Sequence, residues 1–217
     1  MNPMRIFRSI ILSIGLFSAA SAPAWDLAVV GGFNYSHPSF NPDPPNGGTV
    51  TTEKAFDFGA LLTAPLGGDY VVGTGLIRNS RDIVIDDPTT SVDTRYSGWL
   101  IPLTFRFMRA EFLGFGFGPY IAFLSSRTKS TTTFHSGGGS INIDGNDANR
   151  KSYEIGLSAN LRLAYPVYHA SKVILDGSYL FGVTDLNKSG TAEDKTQELL
   201  VLLGFQIPIG TELEAQQ

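Results

Sequence analysis

Apolar and polar side chains alternate along segments of about ten to fourteen residues, and this pattern constrains the fold more than any other feature of the chain. Residues 153–166 show it most regularly. One face of that segment carries Ile155, Leu157, Ala159, Leu161, Leu163 and Tyr165, and the other carries Glu154, Gly156, Ser158, Asn160 and Arg162. Because successive side chains of a β-strand point to opposite sides, the pattern predicts a strand with one apolar and one polar face.

Eight segments of this kind are separated by linkers that are long and short in turn. The long linkers are polar and span 37–54, 80–95, 127–152 and 186–197, and the short ones span Leu66–Asp69, Met108–Glu111 and Pro166–Ser171. Amphipathic strands in even number, with tight turns at one end and long loops at the other, are typical of outer-membrane barrels. The sequence therefore predicts an all-β fold: a closed eight-stranded antiparallel transmembrane β-barrel of the up-and-down meander type. Its short turns would be periplasmic and its four longer loops extracellular.

Closure of the barrel requires an eighth strand, which we place at 197–209. Its lipid-facing side chains would be Leu199, Val201, Leu203, Phe205 and Ile207. A helix beginning near Thr191 is the alternative, because Thr191 followed by acidic residues resembles a helix N-terminal cap.

The first 24 residues resemble an export signal. Arg5 and Arg8 precede an apolar stretch of roughly ten residues, and Ala22-Pro23-Ala24 has the small residues of a cleavage site. The stretch is well short of the ~20 residues that a membrane-spanning helix needs. We therefore expect 1–24 to be a cleaved signal peptide, 25–209 to form the barrel, and 210–217 to be a short periplasmic tail.

Charge and cysteine content argue against two classes of function. The net charge is -4, and loss of Arg5 and Arg8 would make it two units more negative, which opposes nucleic-acid binding. The chain has no cysteine, so it can form neither a disulfide nor a thiolate metal site.

The predicted hairpins specify which residues face each other. Turns centred on Arg109–Glu111, on His169 and on Gly67-Gly68 bring apolar faces together and place arginines opposite glycine or aspartate. The face of residues 69–85 depends on the Gly67-Gly68 turn alone, because alternation is weak there. The expected pairs are Phe105 with Phe115, Leu103 with Phe117, Arg106 with Gly114, Arg162 with Asp176, and Asp57 with Arg78.

Two sets of residues follow from these faces. Charged side chains inside so narrow a barrel must be paired, so we predict that they form a structural network that fills the lumen rather than a pore. Outside, aromatic side chains are expected at the two membrane interfaces. The lumen network comprises Asp57, Arg78, Arg106, Glu154, Arg162, Asp176 and Glu198, and the interface aromatics are Tyr35, Trp99, Phe107, Tyr165 and Phe205.

Three short motifs resemble those of a known family. Trp99-Leu100-Ile101-Pro102-Leu103-Thr104-Phe105-Arg106-Phe107, then Phe115-Gly116-Phe117-Gly118-Pro119-Tyr120-Ile121, looks like the central hairpin of PorT-like small outer-membrane β-barrels. Gly73-Thr74-Gly75-Leu76 looks like that family's third strand, although the aromatic residue that usually follows shortly after is absent. The resemblance implies an eight-stranded barrel in the outer membrane and no catalytic residues.

Candidate catalytic and metal-binding residues are sparse. The histidines are His37, His135 and His169, and His135-Ser136 is the one pair that suggests a lipid A hydrolase, which would need a histidine, a serine and an acid together. Oxygen ligands for a divalent cation occur at 144–149 and among Asp82, Asp86, Asp87 and Asp93, but the first group has Asn149 where a calcium loop needs glycine. We predict no catalytic residue, no cofactor and no metal site.

The favoured function is a non-enzymatic, structural or surface-interaction role in the bacterial outer membrane, with the loops as the binding region. The expected partners are lipopolysaccharide and phospholipid, the barrel-insertion machinery, and an extracellular or envelope partner at the loops. We expect a monomer that binds no nucleic acid. The alternatives are a small-solute or ion channel, a lipid A-modifying hydrolase, and a soluble binder of the lipocalin type.

Overall fold

The computed structural model describes residues 25–41, 49–110, 112–125, 127–136, 138–146, 151–168, 170–187 and 193–209. The expected signal peptide and C-terminal tail lie outside these residues. No helix in the described part of the chain is long and apolar enough to cross a membrane. The strands are β1 (Trp25–Asn41), β2 (Thr49–Gly67), β3 (Tyr70–Asp86), β4 (Thr90–Ala110), β5 (Leu113–Leu124), β6 (Arg127–Phe134), β7 (Ser140–Asn146), β8 (Tyr153–Tyr168), β9 (Ser171–Gly182) and β10 (Glu193–Ile209).

Eight of these strands form a closed ring. Strands β1 to β5 pair antiparallel in order, β5 pairs with β8, and β8, β9 and β10 continue the meander. Strand β10 then pairs with β1 along its whole length, from Trp25 opposite Ile209 to Asn41 opposite Glu193. The predicted closed eight-stranded barrel is confirmed. The alternative helix is wrong, because β10 begins at Glu193 and pairs with both neighbours.

The alternation read from the sequence sets the two faces of the barrel wall. Along β8 the side chains from Glu154 to Ala164 alternate strictly between buried and exposed. Strand β10 has the predicted face: its odd-numbered apolar residues from Leu199 to Ile207 are exposed, and Leu200 and Leu202 are buried.

Two strands beyond the predicted eight lie in the third long linker. Strands β6 and β7 form a hairpin in which β6 pairs with the first residues of β4. Residues 80–95, which were expected to be a loop, are β-strand except for a short turn after Asp86. The first residues of β2 pair with the end of β3, and the end of β3 pairs with the start of β4. These parts of β2, β3 and β4 form one sheet with β6 and β7 at the loop end of the barrel. We call this sheet the loop-end blade.

Two of the three expected hairpin registers need revision. The turn between β8 and β9 sets Arg162 opposite Asp176, as predicted. In the β4–β5 hairpin, which has an irregularity between Met108 and Ala110, the register differs from the expected one by two residues, so Phe105 faces Phe117 and Arg106 faces Gly116. A two-residue shift preserves both faces. Arg106 still crosses Gly114, where an added Cβ would lie 2.5 Å from its Cδ.

The β2–β3 hairpin is shifted by one residue, and this reverses the predicted face of β3. The turn occupies Gly68 and Asp69, with Gly67 opposite Tyr70, and both glycines have positive φ angles that favour glycine. A shift of one residue moves every side chain to the other face. Arg78 therefore lies outside, opposite Trp99, and the expected pair of Asp57 with Arg78 is wrong.

Candidate functional site

The inward side chains divide the lumen into three layers along the barrel axis. The loop-side polar layer contains Asn34, Ser36, Asp57, Asn79, Arg81, Glu154, Thr196 and Glu198. The apolar layer contains Val30, Leu61, Ile77, Leu100, Leu180, Leu200 and Leu202. The turn-side polar layer contains Thr104, Arg106, Asn160, Arg162, Asp176 and Ser178. Glu154 and Arg162 are eight residues apart on β8, or roughly 26 Å at the usual rise of a strand, so the two polar layers are separate.

Arg81 is the centre of the loop-side polar layer. Its Nη1 lies 2.7 Å from Oε2 of Glu154, and its Nε lies 3.0 Å from Oε2 of Glu198. Thr196 and Tyr120 donate their hydroxyl groups to the two oxygens of Glu154. All three charged side chains are almost completely buried. One guanidinium thus pairs with carboxylates from β8 and β10, and such pairing is what buried charges require.

Asp57 is held by neutral donors in the same layer. The side-chain amides of Asn34 and Asn79 donate to its Oδ2 over 2.7 and 3.0 Å, and the backbone N–H of Ser80 donates to its Oδ1 over 2.8 Å. Asn79 also donates to Glu198. The amide of Asn79 therefore links Asp57 to the Arg81 cluster, and β1, β2, β3, β8 and β10 are joined through one hydrogen-bond network.

The apolar layer seals the middle of the barrel. Ile77, Leu100, Leu200 and Leu202 are each 1–2% exposed, whereas a water-filled passage along them would leave them accessible. Tyr120 fills the space over Gly156, where an added Cβ would lie 2.5 Å from the tyrosine ring. A narrow eight-stranded barrel is filled in this way when large side chains face small ones.

The loop-side polar layer has more carboxylates than guanidinium groups, and the turn-side polar layer has more guanidinium groups than carboxylates. Arg162 binds Oδ2 of Asp176 through Nε at 2.8 Å and Nη2 at 2.7 Å, and Arg106 Nη2 lies 3.3 Å from the same oxygen. Arg106 Nε donates to Asn160 Oδ1 over 3.1 Å. Two buried guanidinium groups therefore share one carboxylate.

Cavities lie on the turn side of the apolar layer. A small one of about 30 Å³ lies between the apolar layer and Arg106, and has room for about one water molecule. A larger cavity of about 390 Å³ lies at the turn end, and Arg106 and Arg162 line it together with Thr63, Met108 and Lys172. We call it the turn-side vestibule.

The predicted lumen network thus separates into two clusters. Asp57, Glu154 and Glu198 lie in the loop-side layer, whereas Arg106, Arg162 and Asp176 lie in the turn-side layer. Arg78, which was placed in this network, instead packs outside with its guanidinium 5.7 Å from the ring of Trp99 and donates to the carbonyl of Gly98. Sequence reasoning missed Arg81, which occupies the role given to Arg78. The available signal was the spacing of three between the two arginines, since a one-residue change of register exchanges their faces.

The five predicted interface aromatics all lie on the outer face. Tyr35, Trp99, Phe107, Tyr165 and Phe205 are exposed, and Tyr165 is 72% exposed. Phe107 packs against Tyr70 across β3 and β4, with ring centroids 5.5 Å apart, and the ammonium group of Lys54 lies 5.4 Å from the ring of Tyr35. Outer-membrane barrels carry aromatic side chains at both membrane interfaces, and lysine can place its charged end among the lipid headgroups there.

The histidines show one acid contact. His135 Nε2 lies 3.2 Å from Asp86 Oδ1 at the loop end, and both side chains are about half exposed. Among the residues that the structure describes, no hydroxyl group makes a hydrogen bond with the His135 ring. His37 is exposed on β1, and His169 lies outside the described residues. A histidine–acid pair is present, but a nucleophile bound to the histidine is not seen in the described part.

The acidic residues of the β3–β4 hairpin have separate roles. Arg95 binds both carboxylate oxygens of Asp82. Asp87 accepts hydrogen bonds from the hydroxyl and backbone N–H of Thr89 and from Thr90, and these lower the pKa of its carboxyl to about 2. No group of three or more metal-ligating side chains is found within the described ranges. The carboxylates at 144–149 lie outside the described side chains.

Comparisons with known proteins give structural similarity alone. No protein-family model and no curated sequence matches the chain. Among solved structures, the chain is similar to Ail, the attachment invasion locus protein of Yersinia pestis (11% identity, 85% of this chain, 99% of Ail, TM-score 0.44). It is similar to OprG from Pseudomonas aeruginosa (14%, 88% and 99%, TM-score 0.44) and to the outer membrane protease OmpT from Escherichia coli (9%, 86% and 97%, TM-score 0.43). These likenesses are too distant to transfer a function, and membership of the PorT-like family stays a prediction.

Proposed function

We propose that this chain is a non-enzymatic integral protein of the bacterial outer membrane, and that its loop-end blade is a surface for interaction. The observation that carries the proposal is the combination of a sealed lumen with a sheet that continues past the barrel. Ile77, Leu100 and Leu200 are almost inaccessible in the middle of the barrel. A role in transport through the middle would need a passage along these side chains.

The outer surface supports the membrane location. Phe117 is 71% exposed and Leu157 57%, and apolar side chains occupy outward positions all around the wall. A soluble binder of the lipocalin type would have the reverse pattern, with apolar side chains lining an interior ligand cavity. Exposing so much apolar surface to water would be highly unfavourable, whereas a lipid bilayer covers it without penalty.

The loop-end blade supports the interaction role. It extends β2, β3 and β4 beyond the barrel and adds β6 and β7 at one edge. Within the described residues, β7 pairs with β6 on one side only, so its other edge has backbone groups available to a partner. A rigid sheet held away from the membrane is suited to contact lipopolysaccharide or an extracellular partner.

Cysteine labelling tests the location and orientation, and the chain offers a clean background because it has no cysteine of its own. Ser136→Cys places a thiol at the loop end, and Asp69→Cys places one in the β2–β3 turn; both positions are exposed. A membrane-impermeant maleimide added to intact bacteria should label Ser136→Cys and leave Asp69→Cys unlabelled until the cells are opened. Labelling of Asp69→Cys alone would overturn the orientation.

Removal of the β6–β7 hairpin tests the interaction role. Residues 127–146 are replaced by a short Gly-Ser linker, and adhesion of the displaying bacteria to immobilised lipopolysaccharide and to extracellular glycans is compared with that of the full chain. We expect adhesion to be lost while heat-modifiable gel migration shows an assembled barrel. Equal adhesion by both versions would refute the role of the blade.

A further inference from the structure

The turn-side vestibule is a cavity whose floor is cationic. Arg106 and Arg162 are 3% and 4% exposed, yet both line this cavity of about 390 Å³. Thr63, Met108 and Ala164 form part of its walls, and Lys172 lies on the wall near the β8–β9 turn. This volume is within the range of small-molecule sites and exceeds what an isolated ion needs.

The charge at the floor is not balanced by protein groups. Asp176 Oδ2 already accepts from both arginines, and its Oδ1 accepts from the hydroxyl of Ser178. Two guanidinium groups and one carboxylate leave one excess positive charge on the turn side of the apolar layer. A charge so placed is stabilised when an anion joins it.

The arginines retain donors that are directed at no protein acceptor. Arg106 uses Nε and Nη2, and Arg162 uses Nε and Nη2, so the Nη1 of each is without a described protein partner. Neither Nη1 is among the fully enclosed polar atoms that lack a partner. Both side chains line the vestibule and the small cavity beside it, so the free surface of these two nitrogens belongs to this pair of cavities. Two guanidinium edges at one cavity match the geometry of an oxyanion.

The acidic side chains of the vestibule do not cancel the positive charge at its floor. Asp26 accepts a hydrogen bond of 2.8 Å from the side-chain amide of Gln206. Asp69 is exposed in the β2–β3 turn at the entrance, where Lys172 offers a charge of the opposite sign. The acidic side chains are thus hydrogen-bonded or at the entrance, whereas Arg106 and Arg162 line the floor.

We propose that the turn-side vestibule binds a small phosphate-bearing anion, whose oxygen atoms accept hydrogen bonds from Arg106 and Arg162. The shared chemistry is a phosphate oxyanion, carried either by a soluble monoester or by a phospholipid headgroup at the turn-end rim. Entry from the periplasm rests on the proposed orientation of the barrel, but binding itself does not. The site therefore lies at the opposite end from the loop-end blade.

Calorimetry on the purified full chain in dodecyl maltoside tests the proposal, with sn-glycerol 3-phosphate as the probe. We expect saturable binding that weakens at least about tenfold in Arg106→Gln, since charge-assisted hydrogen bonds to an anion are lost. Arg78→Gln is the matched control: it removes an arginine from the same barrel on the outer face, and its affinity should stay within about twofold. Heat-modifiable gel migration checks that each variant is assembled.

A second measurement needs no variant. Phenylglyoxal modifies accessible arginines, and sn-glycerol 3-phosphate should slow its reaction with Arg106 and Arg162 while leaving the exposed Arg95 unaffected, as read by mass spectrometry. Displacement of the probe by added phosphatidylglycerol would identify a headgroup site, and no displacement would identify a soluble ligand. The proposal is overturned by the absence of saturable binding at millimolar probe, or by Arg106→Gln binding as well as the unmodified chain.

Discussion

Replacing Arg81 by leucine should destabilise the barrel strongly. Arg81 makes ion pairs of 2.7 and 3.0 Å with Glu154 and Glu198, and it is the cation of the loop-side polar layer as far as the described residues show. Its removal leaves two buried carboxylates without a counter-charge. Breaking a buried pair by removal of one partner costs about 3–5 kcal/mol. Because two carboxylates lose their partner at once, we expect a loss at the upper end of that range.

Arg78→Leu is the control, since it changes the same residue type three positions away on the same strand. Arg78 contacts the ring of Trp99 on the outer face, a contact worth about 0.5–1 kcal/mol at an exposed site. We expect a change of no more than about 1 kcal/mol. Urea unfolding of the protein in phospholipid vesicles, followed by tryptophan fluorescence and gel migration, gives both free energies of unfolding.

A rescue variant distinguishes the destabilisation caused by unpaired buried charge from that caused by lost packing. Adding Glu154→Leu and Glu198→Leu to Arg81→Leu removes the whole cluster, and replacement of a buried ionic group by apolar side chains is often neutral. The triple variant should recover most of the lost stability. If Arg81→Leu and Arg78→Leu have equal effects, the assignment of Arg81 to the lumen is wrong.

Three further predictions concern packing, protonation and chemistry. Gly156→Ala should lower the free energy of unfolding by about 1–3 kcal/mol in the same urea assay, because its Cβ would meet the carbonyl oxygen of Phe181 and the Tyr120 ring, whereas Gly139→Ala, with open space around it, should have no effect. The Asp87 carboxyl should titrate near pH 2 rather than near its ordinary value of 3.8. Its hydrogen bonds therefore stabilise the folded state above about pH 4, and this stabilisation is lost as the pH falls towards 2. An NMR titration midpoint near 3.8 for the Thr90 amide would contradict this. His135→Ala and Ser136→Ala should not change the lipid A of the cells, as measured by mass spectrometry. A change in lipid A acylation that depends on either residue would support the lipid A hydrolase hypothesis instead.

The fold could be predicted because most of its determinants are local in sequence. Period-two alternation marks the strands from 153 to 166 and 197 to 209, and a one-sided apolar face leaves little choice of register. The strands of the loop-end blade were missed because Thr, Asp and Ser residues occupy both faces there, so 80–95 shows no alternation of apolar and polar residues. Polar strands held by neighbouring strands look like loops in the sequence.

The lumen was harder to predict because it depends on turns and on distant strands. The turn at Gly68 and Asp69, together with a bulge between Pro65 and Gly67, changes the β2–β3 register by one residue, and this exchanges Arg78 for Arg81. The division into two charged layers needs the stagger of all eight strands, which no single hairpin specifies. The pairing of Arg81 with Glu154 and Glu198 joins residues far apart in the chain, and no local pattern indicates it.

Conductance in planar lipid bilayers tests most directly whether the barrel is sealed. The purified full chain should insert without stepwise current, and Arg106→Ala should be equally silent, because Leu100, Leu200 and Leu202 close the lumen independently of the turn-side layer. A general porin recorded in the same membrane shows that the assay detects an open barrel. Reproducible current steps from the unmodified chain would contradict a sealed lumen and, with it, the assignment of function to the loop end.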